Sequence, residues 1–334
     1  MNPPLRATLL IGLPVLLAIG ALCIGRYQIT PGTALRVLVG TTFGAERTWA
    51  PVEETVVMKV RLPRILLALV IGAGLAVAGA AFQGIFGNPL VSPHILGVSA
   101  GAGFGAALTI LLVRTLEFVP VGALLFGLVA MLLSLAISRL GGRGGLLMLV
   151  LAGVITAALF DALIGVLKYV ADPNDTLPTI TYWLMGSLSA VGMAEVRLGA
   201  PLVILGIVVI WLFRWRLNII SLSENEARSL GMNVARTRWI LIAASTLITA
   251  AAVSVVGIVG WIGLVIPHMA RAVVGSDHRK LIPATVSLGA CYLLVIDTLG
   301  RSLTGNELPL SILTAVIGAP FFALLLMRNR GLWS

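Results

Sequence analysis

The sequence predicts an all-α, polytopic membrane protein with ten transmembrane helices in a single domain, residues 1–334. Hydrophobic residues make up 59% of the chain and charged residues only 11%, whereas soluble domains carry about 25% charged residues. Apolar runs of about 18 or more residues recur along the whole chain, and each is long enough to cross a hydrocarbon core of about 30 Å. Basic residues also concentrate in alternate connections between these runs, as expected of a protein that crosses the membrane repeatedly.

The boundaries after the second and the seventh span are assigned from the positions of proline and glycine. The stretch "GNPLVSPH" separates the second span from the third, because the residue before each proline is disfavoured in a helix. The run from Trp239 to Ile266 is almost unbroken, and as one helix it would extend about 42 Å, too long for a single untilted crossing. Gly257 and Gly260 offer a turn that divides it. The ten predicted spans lie near 7–25, 65–86, 94–113, 119–138, 146–168, 198–213, 239–256, 257–273, 281–300 and 309–327.

The distribution of charge predicts the orientation. With ten spans and both termini in the cytosol, the inner side carries a large excess of basic residues, as the positive-inside rule requires. These residues are Arg6, Arg139, Arg143, Arg214, Arg216, Arg228, Arg236, Arg238, Arg271, Arg279, Lys280, Arg328 and Arg330, opposed by Glu224, Glu226 and Asp277. Fusing the seventh and eighth spans would move Arg279 and Lys280 outside. The basic character of the chain therefore reflects membrane topology, and no nucleic-acid partner is expected.

The sequence lacks the motif by which many proteins bind nucleotide phosphates. The chain has no G-x-x-x-x-G-K-[ST] stretch, and none of Lys59, Lys168 and Lys280 follows a glycine. It therefore has no P-loop for nucleotide phosphates. We expect no catalytic residues and no cofactor, and any ATP would be bound by a separate polypeptide.

Metal chemistry and ion coupling are also disfavoured. The histidines His94, His268 and His278 are far apart, and their spacing does not resemble a metal-ligand set. Asp161 is the acid that lies well inside a span, whereas Asp297 lies near a predicted outer end. A hydrogen bond between helices explains Asp161 better than a proton relay does, but an ion-coupled secondary carrier stays an alternative.

The longest predicted cytosolic loop, 217–238, contains a short helix pattern in "SENEARSLG". Ser223 could cap this helix, Glu224 and Glu226 lie in its first turn, and Gly231 can end it. A capped, charged helix between two spans would suit contact with a cytosolic partner. A loop that is merely solvated is the other interpretation.

Three cations precede the second span in "MKVRLPR": Lys59, Arg61 and Arg64. They fall on the predicted outer side, where the orientation rule does not need them, and Arg301 falls on the same side. The arginine stems could simply extend along lipid towards water. Alternatively, these four cations form an exposed basic rim that binds an acidic partner from outside.

Four stretches, in order, resemble the FecCD family of permeases. They are "RLPRILLALVIGAGLAVAGAAFQGIFGNPLVSPHILGVSAGAGFG", "SENEARSLGMNVARTR", "GWIGLVIPHMARAVVGSDHRKLIP" and "ELPLSILTAVIGAPFFALLL", and together they extend from about residue 61 to residue 326. The resemblance implies the type II ABC importer permease fold and a bacterial inner-membrane location. It also implies a homodimer surrounded by lipid, two cytosolic ABC ATPase subunits, and a periplasmic binding protein that delivers an iron chelate such as a ferric siderophore or haem. Cobalamin or an oxyanion is the alternative cargo.

The resemblance also assigns roles to residues. It places binding-protein docking on Arg61, Arg64 and Arg301. ATPase coupling falls within 224–238, on Glu224, Glu226, Ala227, Arg228, Leu230 and Gly231. The family's "PH…DHR" pattern falls on Pro267, His268, Asp277, His278 and Arg279, and we expect structural or coupling roles for its histidines. Trp261 departs from the family, which more often has phenylalanine there.

The broken segment between the second and third spans is a candidate inner gate. Asn88, Pro89 and Leu90 lie in it. Irregular backbone at membrane depth is tolerated only where protein buries it or where it lines a cavity. We therefore expect these three residues to shape the pathway.

Overall fold

A computed structural model describes residues 3–44, 46–140, 145–222, 224–303 and 307–328. Over these ranges the chain is helical and contains no β-strand. The helices are α1 (Pro3–Cys23), α2 (Pro31–Phe43), α3 (Pro51–Glu54), α4 (Leu62–Phe86), α5 (Val98–Val113), α6 (Val119–Leu140), α7 (Leu146–Val170), α8 (Thr176–Leu184), α9 (Met193–Ile220), α10 (Glu224–Ser229), α11 (Val234–Val256), α12 (Ile262–Val274), α13 (His278–Ser302) and α14 (Leu310–Arg328). A π-helical segment, Thr55–Arg61, joins α3 to α4, and a 3₁₀ turn, Pro93–Leu96, precedes α5.

A helix lies at the position of each of the ten predicted spans: α1, α4, α5, α6, α7, α9, α11, α12, α13 and α14. By length and apolar composition, six helical segments of the described chain are able to cross a membrane, and four further apolar helices are shorter. The prediction of an all-α, polytopic protein is confirmed. The ten-span topology, its orientation and the single-domain organisation stay predictions. The segments α2, α3 and α8 were not predicted, and all three lie in connections at the predicted outer end.

Helices α4 and α11 form the interior of the bundle. Most residues of both helices are buried, and α4 packs against α9, α11, α12 and α13. Small residues make this possible, because helices in a membrane gain stability from close backbone packing. One such close approach joins α4 to α13, where a Cβ added at Gly72 would lie 2.2 Å from the carbonyl oxygen of Gly289. Neither position has room for a side chain.

The chain turns at the predicted division between the seventh and eighth spans. Helix α11 ends at Val256, and the backbone leaves the helix at Gly257 with φ of 73°. A Cβ at Gly257 would lie 2.3 Å from the carbonyl oxygen of Trp183. This turn therefore requires glycine both for its backbone conformation and for the space beside it.

The predicted break between the second and third spans is also present. Helix α4 ends at Phe86, the next residue, Gly87, adopts the left-handed conformation, and regular α-helix resumes only at Val98. The side chain of Asn88 accepts a hydrogen bond from the backbone N–H of Leu90 at 2.9 Å. This local bond stabilises a turn at the position where each proline disfavours helix.

Candidate functional site

Three arginines meet at the predicted outer end of the bundle. Arg61 ends the π-helical segment, Arg64 lies in the first turn of α4, and Arg301 lies in the last turn of α13. Together with Glu307 they line a cavity of about 220 Å³. We call Arg61, Arg64 and Arg301 the arginine cluster.

Arg64 is held between two carboxylates. Its Nε donates to both oxygens of Asp297, at 2.8 and 2.9 Å, and its Nη1 donates to Oε1 of Glu307 at 2.9 Å. Its Nη2 lies 2.8 Å from Asp297 and 2.9 Å from Glu307. Asp297 is fully buried. The planar guanidinium suits this arrangement because it can donate to two carboxylates at once and stays charged.

Arg61 and Arg301 bind the end of α1. Arg61 donates to the carbonyl oxygens of Leu22 and Tyr27, and Arg301 donates to the carbonyl oxygen of Ala21 at 2.6 Å. The last carbonyls of a helix lack partners within the helix and carry its negative dipole end. These two arginines therefore cap α1 and attach it to α4 and α13.

The prediction that the arginine cluster forms an exposed rim is wrong. Arg61, Arg64 and Arg301 are only 2%, 6% and 7% exposed. Neither the carboxylates of Asp297 and Glu307 nor the α1 carbonyls were expected as partners of these arginines. One signal was available, since Asp297 precedes Arg301 by four residues and so lies on the same face of α13. In the protomer these arginines join helices, and binding-protein docking stays a prediction for them.

The short helix in the predicted cytosolic loop is confirmed as α10. The N–H of Met232 bonds to the carbonyl of Ala227 at 3.3 Å, and that of Gly231 to the carbonyl of Arg228 at 2.9 Å. Gly231 adopts φ of 75°, so the helix ends in a Schellman motif. Ser223, the predicted cap, lies outside the described residues.

The predicted coupling residues divide between the two faces of this segment. Ala227 lies on the buried face of α10, whereas Leu230 is 63% exposed. Glu226 and Arg228 are also exposed. An exposed leucine among charged side chains offers apolar contact area beyond the protomer.

The candidate gate and the "PH…DHR" residues lie together. His268 Nε2 is 2.9 Å from the carbonyl oxygen of Pro89, and its ring meets Phe322 of α14 edge-on, with the centroids 5.3 Å apart. His268 thus connects the broken segment after α4 to α12 and α14. Asn88 and Leu90 are exposed on this segment.

Asn218 is a residue that sequence reasoning missed. Its Nδ2 donates to Asp277 Oδ1 at 2.7 Å, and its Oδ1 accepts from the backbone N–H of His278 at 2.9 Å. Asp277 also accepts from the backbone N–H of Arg279 at 2.9 Å. These two donors lower the pKa of the Asp277 carboxyl, with the Arg279 N–H as the larger cause. The network fixes the start of α13 against the end of α9. Its sequence signal was limited to an amide at the start of the predicted loop 217–238.

The remaining predictions concern Asp161 and metal ligands. Within the described part of the chain, Asp161 is exposed and makes no hydrogen bond or ion pair, so the expected bond between helices is not present in the protomer. No group of three or more His, Cys, Asp or Glu side chains is placed to hold a metal ion in the same ranges.

Replacing Gly231 by valine is expected to disturb the end of α10. A β-branched residue in the left-handed conformation costs about 1–2 kcal/mol, and no neighbouring atom lies within 4 Å of an added Cβ, so the cost comes from the backbone alone. Hydrogen exchange of 224–233 should rise several-fold. Gly231→Asn is the control, because asparagine tolerates this conformation. Equal exchange in both variants would contradict the assignment.

Comparisons with known proteins agree with this architecture. The model of the FecCD transport family matches residues 12–328. The molybdate import system permease protein MolB of Haemophilus influenzae is 41% identical over 333 residues, which cover 99% of this chain and 98% of that protein. A Helicobacter pylori protein described as an iron chelatin transport system permease is 40% identical over 276 residues, 83% of each chain.

A solved structure has the same fold. A protein described as a metal-chelate type ABC transporter, in an inward-facing conformation, superposes with a TM-score of 0.87 at 40% identity. The match covers 97% of this chain and 99% of that one, which confirms the predicted type II ABC importer permease fold. The family match and these relatives extend over nearly the whole sequence. The chain therefore belongs to the FecCD transport family and is a membrane-spanning ABC importer permease.

Proposed function

We propose that two copies of this chain form the transmembrane pathway of an ATP-driven importer for an iron chelate, a ferric siderophore or haem. A periplasmic binding protein delivers the cargo, and two cytosolic ATPase subunits supply the energy. The complex lies in the bacterial inner membrane, with both termini of each copy in the cytosol. The permease itself performs no chemistry.

The observation that carries this proposal is α10. It is a separate, capped helix between the ends of α9 and α11, with Ala227 packed inwards and Leu230 turned outwards. A movement of an ATPase bound here would reach α11, which lies at the centre of the bundle. The Asn218–Asp277 contact continues the connection from α9 to α13.

The relatives support a polar cargo of either of two kinds. The iron chelatin permease relative and the metal-chelate type structure support a chelate. The 41% identity to a molybdate permease supports an oxyanion as the second candidate. Neither kind of cargo crosses lipid unaided, because burying charge in hydrocarbon is costly.

Replacing Leu230 by aspartate is expected to weaken ATPase association at least tenfold, because the contact would lose an exposed apolar side chain and gain an unpaired charge. The measurement is co-purification and binding affinity of the partner ATPase with detergent-solubilised permease. Leu230→Met, which keeps the apolar surface, should bind normally. Unchanged association of Leu230→Asp would remove α10 from the coupling role.

Uptake into proteoliposomes shows which of the two kinds of cargo the importer transports. Vesicles containing the permease, its ATPase and its binding protein should accumulate a radiolabelled ferric chelate only with internal ATP, and molybdate poorly. Preferential molybdate uptake would select the second candidate. Accumulation by the permease alone under an ion gradient would instead support the secondary carrier.

A further inference from the structure

A cavity of about 480 Å³ lies at the predicted cytosolic end of the bundle, between the end of α9 and the segment that joins α10 to α11. Arg216 and Arg236 form its charged side, and Phe213, Ile219 and Ile240 form an apolar side. We call it the α9–α11 cavity. It is separate from the arginine cluster, which lies at the predicted outer end.

The positive charge of this cavity is not balanced by an acid. None of its described lining residues is acidic, and within the described ranges neither Arg216 nor Arg236 forms an ion pair. The guanidinium of Arg216 lies over the rings of Phe213 and Trp215, 4.8 and 5.5 Å from their centroids. Such contact holds the arginine beside the cavity and does not neutralise its charge.

The start of α11 adds to the positive potential. Asn233 caps this helix, because its side chain accepts a hydrogen bond from the backbone N–H of Arg236 at 3.0 Å, and Asn233 also lines the cavity. The N-terminus of a helix carries the positive end of its dipole and favours anions. Two arginines and a helix N-terminus therefore converge on one space, which indicates an anionic ligand.

The side of α9 that leads to the cavity indicates which kind of anion. Leu205, Val208, Leu212 and Trp215 are exposed, and their spacing of three or four residues places them along one side of the helix. An apolar side of this kind suits acyl chains, and tryptophan is enriched where these chains meet water. A phospholipid matches both parts, since its chains can follow α9 while its phosphate reaches the arginines.

We propose that the α9–α11 cavity binds the headgroup of an anionic phospholipid from the adjacent leaflet, the cytosolic one in the predicted orientation. Arg216 and Arg236 hold the phosphate, as basic pockets between spans commonly do at this surface. Leu230 and Gly231, which follow α10, form another wall of the cavity. A bound headgroup therefore fixes this segment against α9. The inference goes beyond the proposed function and does not depend on the cargo.

Native mass spectrometry of the detergent-purified permease, with any subunits that co-purify, measures this binding. The probes are phosphatidylglycerol and phosphatidylcholine with identical acyl chains, so that the headgroup alone differs. Phosphatidylglycerol should bind at least tenfold more tightly, with one molecule retained per protomer. Equal affinity for the two lipids would overturn the proposal.

Charge-neutral variants locate the site. Arg216→Gln and Arg236→Gln, on two different helices, should each lower the affinity for phosphatidylglycerol at least fivefold. Arg214→Gln is the matched control, because it removes the same charge from the same end of α9. The guanidinium of Arg214 lies 4.9 Å from the centroid of the Trp211 ring and does not line the cavity, so this variant should bind within twofold of the unmodified protein. Equal losses in all three variants would indicate a general surface attraction and overturn the site.

Two further measurements identify the source of the phosphate and the place of binding. A large excess of inorganic phosphate should leave the lipid bound, and displacement would overturn the lipid assignment in favour of free phosphate. Bound phosphatidylglycerol should slow hydrogen exchange of 224–233 at least twofold in the unmodified protein but not in Arg216→Gln. Exchange that ignores the lipid in the unmodified protein would place the lipid elsewhere and overturn the proposal.

Discussion

Asp297→Ala is expected to destabilise the protein by about 3–5 kcal/mol, because it leaves the buried guanidinium of Arg64 without its main partner. The pair is deeply enclosed, with Arg64 side-chain exposure of 7% and Asp297 exposure of 0%. Loss of the carboxylate does not return the arginine to water, since the helices around it stay packed. The measurement is the unfolding midpoint and the monodisperse yield of the detergent-purified permease.

Two further variants separate the charge pair from simple loss of volume. Glu307→Gln should cost only about 1 kcal/mol, because Glu307 is 33% exposed and water screens its interaction. The double variant Arg64→Leu with Asp297→Leu should recover much of the loss, since apolar residues often replace a buried pair without cost. A double variant as unstable as Asp297→Ala would contradict this account of the pair.

Gly72→Val is expected to disrupt the contact between α4 and α13 and to abolish folded protein. The added side chain would overlap the backbone carbonyl of Gly289, which can move only if the two helices separate. Overpacking commonly costs about 1–3 kcal/mol where side chains can adjust, and here the obstacle is backbone. Gly12→Val is the matched control, because no atom lies within 4 Å of its Cβ position.

Fluorescence-detected size exclusion would compare the two glycine variants. Gly12→Val should elute as the unmodified protein does, whereas Gly72→Val should elute as aggregate or fail to accumulate. A normal elution profile for Gly72→Val would show that the helices can part at this point without loss of the fold.

Helix positions could be predicted from the sequence because the signal is local. A run of apolar residues ended by glycine or proline marks a span wherever it packs, so the turn at Gly257 and the end of α10 at Gly231 were both expected. The contacts of the arginine cluster, in contrast, join residues that are far apart in the sequence. Arg64 and Asp297 are 233 positions apart, and their contact depends on how α4 and α13 cross.

The conformation of Trp261 was likewise beyond prediction. It adopts φ of 67° at the start of α12, a conformation that a bulky residue rarely takes. Packing beside α14, where an added Cβ at Gly318 would lie 3.0 Å from the Cβ of Trp261, holds it there. No local sequence rule anticipates a tertiary contact that overrides the intrinsic preference of the backbone.

The continuous helix formed by α3, the π-helical segment and α4 has a consequence for distances. It runs for 36 residues, from Pro51 to Phe86, and so measures about 50 Å, whereas the hydrocarbon core is about 30 Å thick. For a helix that lies along the membrane normal, about 20 Å would project beyond the hydrocarbon. In the predicted orientation much of this excess stands outside the cell, and its tip is braced where Glu54 bonds to Arg47 and Trp49. A protein that approaches along this axis would contact α3 before it reached the arginine cluster. The length of this helix therefore limits how closely such a protein can approach the membrane.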